Sequence, residues 1–156
     1  MTGAVVDNVP GMSTKDLATV CREGAESFVA GMTKAGVQYR FDFSVASASR
    51  LDTLIDVLLS ADPIADDYQL LMGLYVGEVL VRHLGGQWVE DGTLMQAAID
   101  LPKGRAFPLE KIRKRVAYGR SDSIDSWIHE LSVGPPRSDD EAQRRGWRRV
   151  SRRPRN

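Results

Sequence analysis

The chain has 156 residues, of which 42% are hydrophobic and 27% are charged, and this suits one folded domain with a buried core. Its single cysteine, Cys21, excludes an internal disulfide and a cysteine metal cluster, and we expect an inert core thiol. No apolar run approaches the roughly 20 residues that span a bilayer, and residues 1–13 lack the basic and apolar regions of a secretory signal. We therefore expect a cytoplasmic protein without membrane contact.

The formal net charge is zero, but the charges are unevenly distributed along the chain. Residues 141–156 hold seven arginines and one acid, Glu141, whereas the rest of the chain has 14 basic and 20 acidic side chains. This pattern predicts an acidic body that is followed by a basic tail.

The first predicted element is an amphipathic helix that follows a loose arm over residues 1–12. Ser13 and Asp16 resemble a capping box at its start, and Gly36 is typical of a C-cap at its end. Between them, apolar residues recur at helical spacing and predict one buried face. These residues are Leu17, Val20, Cys21, Ala25, Phe28, Val29 and Met32.

The next segment, residues 39–43, alternates apolar and polar residues and predicts either a short strand or an extended linker. Ser47 is expected to begin a second helix, which ends at Asp62 because a residue before proline is disfavoured in helical conformation. The serines at 44, 47 and 49 are typical of turns and caps. The apolar stripe of this helix is Leu51, Leu54, Ile55, Leu58 and Leu59.

A central helix is predicted from about Ala65 to Leu84, with apolar residues over most of its circumference. Gly73 and Gly77 lie one turn apart on it and permit the close approach of another element. Gly85 and the glycine after it end the helix. Its apolar residues are Tyr68, Leu71, Leu74, Tyr75, Val76, Val79, Leu80, Val81 and Leu84.

A small antiparallel sheet is predicted after the central helix. Residues 87–90 and 93–100 flank Asp91-Gly92, which favours a two-residue type I′ hairpin turn. A second turn over residues 101–104 leads to a third short strand at 105–107. The sheet is therefore either a hairpin or a three-stranded meander.

Two more helices complete the predicted domain. Pro108 suits the first position of a helix over Leu109–Tyr118, and Asp122 is expected to cap the last helix. The apolar residues of the last helix are Ile124, Trp127, Ile128 and Leu131. Grouped strands between groups of helices predict an α+β fold with about five helices. We expect one domain over residues 13–134 and a disordered, arginine-rich tail over 135–156.

Glu78 and Arg82 are the charged residues within the apolar part of the central helix. At i and i+4 they meet on one helix face, which favours a partly buried ion pair. The alternative is a polar pocket in which a desolvated Glu78 acts as a general base or binds a ligand. Trp88 is expected to be a core or half-buried strand residue, or else a ligand platform beside this pocket.

Motifs for other chemistry are missing from the sequence. The two histidines, His83 and His129, have no metal-ligand spacing around them, and we expect structural roles for both. Gly85-Gly86 follows a helix and precedes a strand, which is the reverse of the order that binds phosphate. The sequence therefore predicts no catalytic residue, no metal and no cofactor.

A basic helix and the basic tail are the candidate binding features. The helix places Lys111, Lys114 and Arg115 beside the apolar Ile112 and Val116, which predicts a solvated face or a surface for an anion or partner. The tail surrounds one tryptophan with arginine pairs, which suits phosphate binding with aromatic stacking, or else a disordered solubilising tail. Its residues are Arg144, Arg145, Trp147, Arg148, Arg149, Arg152 and Arg153.

Several motifs together resemble an uncharacterised bacterial domain family. Residues 71–88 contain a Gly-x-Tyr-x-Gly-Glu helix followed by a Gly-Gly-x-Trp strand, and residues 106–119 contain a Pro-x-x-Lys-x-x-Lys-Arg helix that ends in Tyr-Gly. Residues 43–52 and 122–124 are also similar. The resemblance covers about residues 15–132 and implies the domain boundary, and the family brings no established activity.

Three functions follow as hypotheses from these features. The favoured one is a non-enzymatic module that binds another protein. The alternatives are a binder of nucleic acid or of an acidic partner through residues 141–156, and a small-ligand protein or enzyme with a polar site around Glu78. The sequence does not predict an oligomeric state.

Overall fold

A computed structural model of the protein describes residues 14–90 and 96–133. It confirms the predicted α+β fold with about five helices; Arg50 divides the predicted second helix into two, so that the described residues form six α-helices. The helices are α1 (Thr14–Lys34), α2 (Val45–Ser49), α3 (Leu51–Leu59), α4 (Asp66–Leu84), α5 (Pro108–Tyr118) and α6 (Ile124–Ser132). The strands are β1 (Gln87–Val89), β2 (Ala98–Leu101) and β3 (Gly104–Ala106), and a 3-10 helix covers Gly119–Asp122.

Helix α4 is the centre of the fold, as its apolar circumference predicts. All of its residues from Met72 to Leu80 are buried, and α1, α2, α5 and the sheet pack around it. Acidic residues in its first turn suit the positive end of the helix dipole. At the other end, Gly85 adopts the left-handed conformation (φ 72°) that ends many helices.

Two glycines of α4 let its neighbours approach closely. A methyl group at Gly73 would lie 2.9 Å from the backbone Cα of Leu109 on α5. A methyl group at Gly77 would overlap the indole ring of Trp88 on β1. The two glycines therefore set how closely α5 and the sheet pack on the central helix.

The sheet is a three-stranded antiparallel meander with the order β1-β2-β3. Trp88 pairs with Ile99, and Ile99 pairs with Ala106, so these three buried residues share the face that packs on the helices. Val89 lies opposite Ala98, so that residues 90–97 connect β1 and β2. The predicted two-residue hairpin is therefore wrong in register, and Asp91-Gly92 itself lies outside the described residues.

Other local predictions are corrected by the structure. Of the two alternatives for residues 39–43, the structure shows the linker and not the strand. Val20, which was predicted on the buried face of α1, is exposed. Ser44, not Ser47, caps α2, because its side chain accepts the hydrogen bond of the Ser47 amide (3.0 Å).

The cap of the last helix also differs from the prediction. Ser123 caps α6 by accepting the hydrogen bond of the Ser126 amide (3.1 Å). Asp122, the predicted cap, ends the 3-10 helix instead and accepts a hydrogen bond from Lys111. The predicted arm, the end of the domain near residue 134 and the tail lie outside the described residues.

We expect Gly77→Ala to lower the free energy of unfolding by about 1–3 kcal/mol, because the new methyl group must displace the packed Trp88 ring. Urea denaturation measures this change. Gly31→Ala in α1 is the matched control, because no atom lies within 4 Å of its added methyl group. This control should be more stable than wild type by about 0.5–1 kcal/mol. Equal effects of the two substitutions would contradict the packing argument.

Candidate functional site

Glu78, the predicted candidate for a ligand site, is buried on α4 and only 5% exposed. Its Oε2 pairs with Nε of Arg82 at 3.3 Å, and its Oε1 accepts the indole hydrogen bond of Trp88 at 3.3 Å. Trp88 is itself buried, so it offers no open platform for a ligand. The structure therefore brings these three residues together with the carboxylate closed onto its protein partners.

Cys21 lies in the same part of the core as Trp88. Burial, with a smaller contribution from the charge of Glu78, raises the pKa of the Cys21 thiol to about 12. The thiol is therefore protonated at neutral pH, and because the thiolate is the reactive species it is a poor nucleophile.

Phe43 in the linker before α2 was not among the predicted site residues. It has a positive φ of 66°, which is uncommon for a residue with a side chain. Its amide donates a hydrogen bond to the Tyr75 hydroxyl (2.8 Å), and its carbonyl accepts one from Nε2 of His83 (2.8 Å). The Arg82 guanidinium lies 3.8 Å from the centre of its ring, a cation–π contact. These contacts hold a strained residue against α4.

The Tyr75 hydroxyl extends this network into the core. It lies 2.6 Å from Oγ of the buried Ser47, and that hydroxyl donates its own proton to the Ser44 carbonyl (2.7 Å). Tyr75 is therefore the donor to Ser47. Burial raises the pKa of Tyr75, which keeps the phenol protonated for this role.

Arg115 is the largest departure from the predicted basic surface. Its side chain is fully buried, whereas the sequence predicted a solvated or partner-binding residue. Its Nε donates to Oδ1 of Asp52 at 2.7 Å, and its Nη2 donates to the Asp52 carbonyl (3.0 Å) and to Oδ1 of Asp56 (2.7 Å). Its Nη1 is buried without a hydrogen-bond partner among the described residues. The ion pairs of Arg115 with Asp52 and Asp56 therefore join α5 to α3.

Asp52 also holds the start of α6. Its carboxylate accepts hydrogen bonds from the amides of Ile124 and Asp125, both at 2.9 Å, and from the Ser123 hydroxyl at 3.0 Å. Burial raises the pKa of Asp52, but these bonds and the Arg115 guanidinium outweigh it and leave the pKa below its usual value. The hydrogen bond from Arg115 likewise lowers the pKa of the half-exposed Asp56, which also binds Arg120.

A signal in the sequence could have revealed this network. Leu109 and Ile112 are buried and lie three residues apart, and Arg115 follows at the same spacing. A charged residue in phase with an apolar stripe needs a buried partner. The partner lies 63 residues away along the chain, and no local pattern indicates it.

Lys111 and Lys114 line a cleft between β3, the first turns of α5 and α6. The cleft has a volume of about 300 Å³. Its lining combines aromatic, apolar and charged side chains: Arg105, Ala106, Phe107, Glu110, Lys111, Lys114, Asp122, Trp127 and Leu131. Phe107 is 40% exposed, and Trp127 and Leu131 are half-buried. This cleft is therefore the candidate functional site.

The charges of the cleft are partly neutralised. Nζ of Lys111 pairs with Oδ1 of Asp122 at 3.3 Å, and Arg105 pairs with Asp100 outside the cleft at 2.9 Å. Lys114 has no ion pair or hydrogen bond with the described residues. Lys114 is exposed, and its charge therefore faces solvent at the cleft.

A second groove of about 430 Å³ lies between the end of α1 and the linker, over residues 29–42. Glu78 lines neither of these two depressions.

In the described part of the chain, histidine, cysteine, aspartate and glutamate form no group of three that could hold a metal ion. Within the same ranges, no helix is long and apolar enough to cross a membrane. The predicted binding residues of the arginine tail lie outside the described residues.

Comparisons with family models, with curated proteins and with solved structures find no match to this chain. The resemblance to a bacterial domain family therefore stays a prediction.

We expect Arg115→Met to lower the free energy of unfolding by about 3–5 kcal/mol, because it leaves the carboxylate of Asp52 buried without its guanidinium partner. Urea denaturation at neutral pH measures the loss. Arg113→Met on the same helix is the matched control, since Arg113 is exposed and its replacement should change stability by less than about 0.5 kcal/mol. Similar losses in both variants would show that the buried Arg115–Asp52 pair contributes no more to stability than an exposed arginine does.

We also expect acid to destabilise the protein through Asp52. Its pKa is lower in the folded than in the unfolded state, so the unfolded chain binds protons first as the pH falls. The contribution of the ionised Asp52 to the free energy of unfolding is fully present above the ordinary aspartate pKa of about 4. This contribution is lost as the pH falls toward the pKa of Asp52 in the folded state. Urea denaturation between pH 7 and pH 3 should show a shallower loss in Asp52→Asn than in wild type. Equal slopes would contradict the role of Asp52.

Proposed function

We propose that the protein is a non-enzymatic module that binds another protein through the cleft between β3, α5 and α6. The observation that carries the proposal is a cleft lined by the exposed Phe107 and by Lys114, which has no ion pair with the described residues. An apolar side chain with a cation at its edge is a combination that suits a partner segment with both apolar and acidic groups. We also propose that the protein is cytoplasmic and that it belongs to the bacterial domain family that its motifs resemble.

The walls of the cleft are fixed by contacts across its elements. The Lys111–Asp122 pair joins α5 to the 3-10 helix, and Nζ of Lys103 donates to the Glu130 carbonyl of α6 at 3.2 Å. The Asp52 carboxylate accepts hydrogen bonds from the first two amides of α6. A preformed cleft loses less conformational entropy when a partner binds, which favours recognition.

The hydrogen bonds of the buried acids Glu78 and Asp52 support the non-enzymatic part of the proposal. Both oxygens of Glu78 and both oxygens of Asp52 already accept hydrogen bonds from the protein. These bonds give each carboxylate a structural role in packing α4 or α6. The hypothesis of an enzyme or ligand site around Glu78, Arg82 and Trp88 would require the carboxylate to leave these partners.

We expect the double variant Phe107→Ala/Lys114→Glu to lose most of the proteins that the wild-type chain retains from a native lysate. The variant removes the apolar anchor and reverses the free charge, while both positions lie at the surface. Capture on immobilised full-length protein, followed by mass spectrometry, measures the loss.

The double variant Val57→Ala/Arg113→Glu is the matched control for this capture. It makes the same two kinds of change at exposed positions outside the cleft, on α3 and α5. The control should retain the same proteins as wild type. If both variants retain them equally, the cleft is not the binding surface.

A further inference from the structure

Strand β3 lies at the edge of the sheet, because the order β1-β2-β3 leaves one of its sides without a paired strand in the described part of the chain. Leu101 pairs with Gly104 around the two-residue turn at 102–103, and such a closing pair is hydrogen-bonded. Hydrogen-bonded and non-hydrogen-bonded pairs alternate in an antiparallel ladder, so the pair of Asp100 with Arg105 is non-hydrogen-bonded. The main-chain N–H and C=O of Arg105 therefore point away from β2.

The cleft of the proposed function runs along this open side of β3. Among the described residues, none forms a hydrogen bond with the main chain of Arg105 there. Arg105, Ala106 and the next residue, Phe107, all line the cleft, although successive side chains of a strand point to opposite faces. A cleft that meets three consecutive residues follows the edge of the strand. Helix α6 forms its far wall with Trp127 and Leu131.

We propose that the protein partner contributes an extended segment, which adds to the sheet inside the cleft as a fourth strand antiparallel to β3. This inference rests on the proposed function, because it names the chemistry of the partner at the same cleft. One residue of the segment exchanges two hydrogen bonds with the N–H and C=O of Arg105. Main-chain bonds of this kind supply affinity, and the side chains of the segment supply specificity.

The two faces of the sheet select the side chains of the segment. Ala106 faces the helices, so Arg105 lies on the outer face, where it is exposed and pairs with Asp100 at 2.9 Å. An acid of the segment opposite Arg105 shares this guanidinium, since opposite charges stabilise a cross-strand pair. The residues on either side of the acid face the helices, where Trp127 and Leu131 are half-buried. The segment therefore has the pattern apolar–acidic–apolar.

A second copy of this chain fits the edge poorly. Two β3 strands that paired antiparallel about Arg105 would place two arginines directly opposite each other, and like charges at such positions are destabilising. The strand is also only three residues long, and a short, charged edge strand resists self-association. An acidic segment of another protein meets no such repulsion.

Amide hydrogen exchange of the isotope-labelled, full-length protein tests the proposal with the probe peptide acetyl-Thr-Val-Glu-Val-Thr-amide. In the free protein, the Arg105 amide should exchange as fast as an unstructured amide. The Ala106 amide is the internal control and should be protected, because Ala106 forms a hydrogen-bonded pair with Ile99 on β2. Saturating peptide should slow exchange at Arg105 several-fold and leave Ala106 unchanged. Protection of Arg105 without peptide, or no slowing with it, would overturn the proposal.

Two methylated forms of the peptide test the strand pairing directly. A methyl group on the amide nitrogen of the glutamate removes the donor to the Arg105 carbonyl and should raise the Kd roughly tenfold. A methyl group on the nitrogen of the following valine is the matched control, because that N–H points away from β3. The control should change the Kd by less than about twofold. Titration calorimetry measures both values, and equal effects of the two methyl groups would overturn the pairing.

Charge reversal tests the preference for an acid. Arg105→Glu should bind the glutamate peptide several-fold more weakly and the otherwise identical lysine peptide several-fold more tightly. Arg113→Glu is the control, since Arg113 is exposed on α5 and does not line the cleft. This control should leave both affinities unchanged. An unaltered peptide preference in Arg105→Glu would overturn the assignment of an acid to this position.

Failure of the fourth strand and failure of the proposed function give different results. Loss of lysate proteins in Phe107→Ala/Lys114→Glu, together with equal binding of the two methylated peptides, would overturn the fourth strand and leave the cleft as the binding surface. Discrimination between the methylated peptides, together with unchanged lysate capture, would instead overturn the proposed function and leave the edge of β3 as a peptide site.

Discussion

The close packing around α4 is the constraint on which the rest of the structure depends. Gly73 and Gly77 have no side chains, so α5 can lie against the helix backbone and the Trp88 ring can lie over it. The ring in that position reaches the carboxylate of Glu78. The position of α5 in turn decides where Arg115 and the lysines of the cleft lie. A methyl group at either glycine would therefore disturb both the core and the surface.

The buried charges connect elements that the hydrophobic core does not fix by itself. Arg115 reaches α3 from α5, and Asp52 reaches the amides of α6 from α3, so three helices meet at one carboxylate. A buried ion pair is weak evidence for net stability, because desolvation offsets much of the attraction. Its geometry is demanding, however, and it selects one arrangement of these helices. The first turn of α6 is held in this way, and α6 is one wall of the cleft.

The network around Phe43 has a comparable role on the other side of α4. A positive φ at a phenylalanine costs free energy, and it persists because Tyr75, Arg82 and His83 each hold the residue. Arg82 therefore has two contacts, an ion pair with Glu78 and the face of the Phe43 ring. Through Arg82, the charged pair of α4 therefore also holds the linker that leads into α2. The surface around the cleft has an exposed aromatic ring, Phe107, and a cation, Lys114, that pairs with no acid in the described part of the chain.

The sequence by itself determined the α+β class, the central helix and the Glu78–Arg82 pair, because helical periodicity, glycine stops and i,i+4 spacing are local properties. It also indicated the basic helix of Lys111 and Lys114. Only the tertiary structure decided that Arg115 is buried, that Trp88 binds Glu78, and that Phe107 and Trp127 line the same cleft. The partners of these residues lie far along the chain or on another element, and the register of β1 and β2 depends on sheet packing. Contacts of this kind are set by how elements pack in space, which local spacing does not encode.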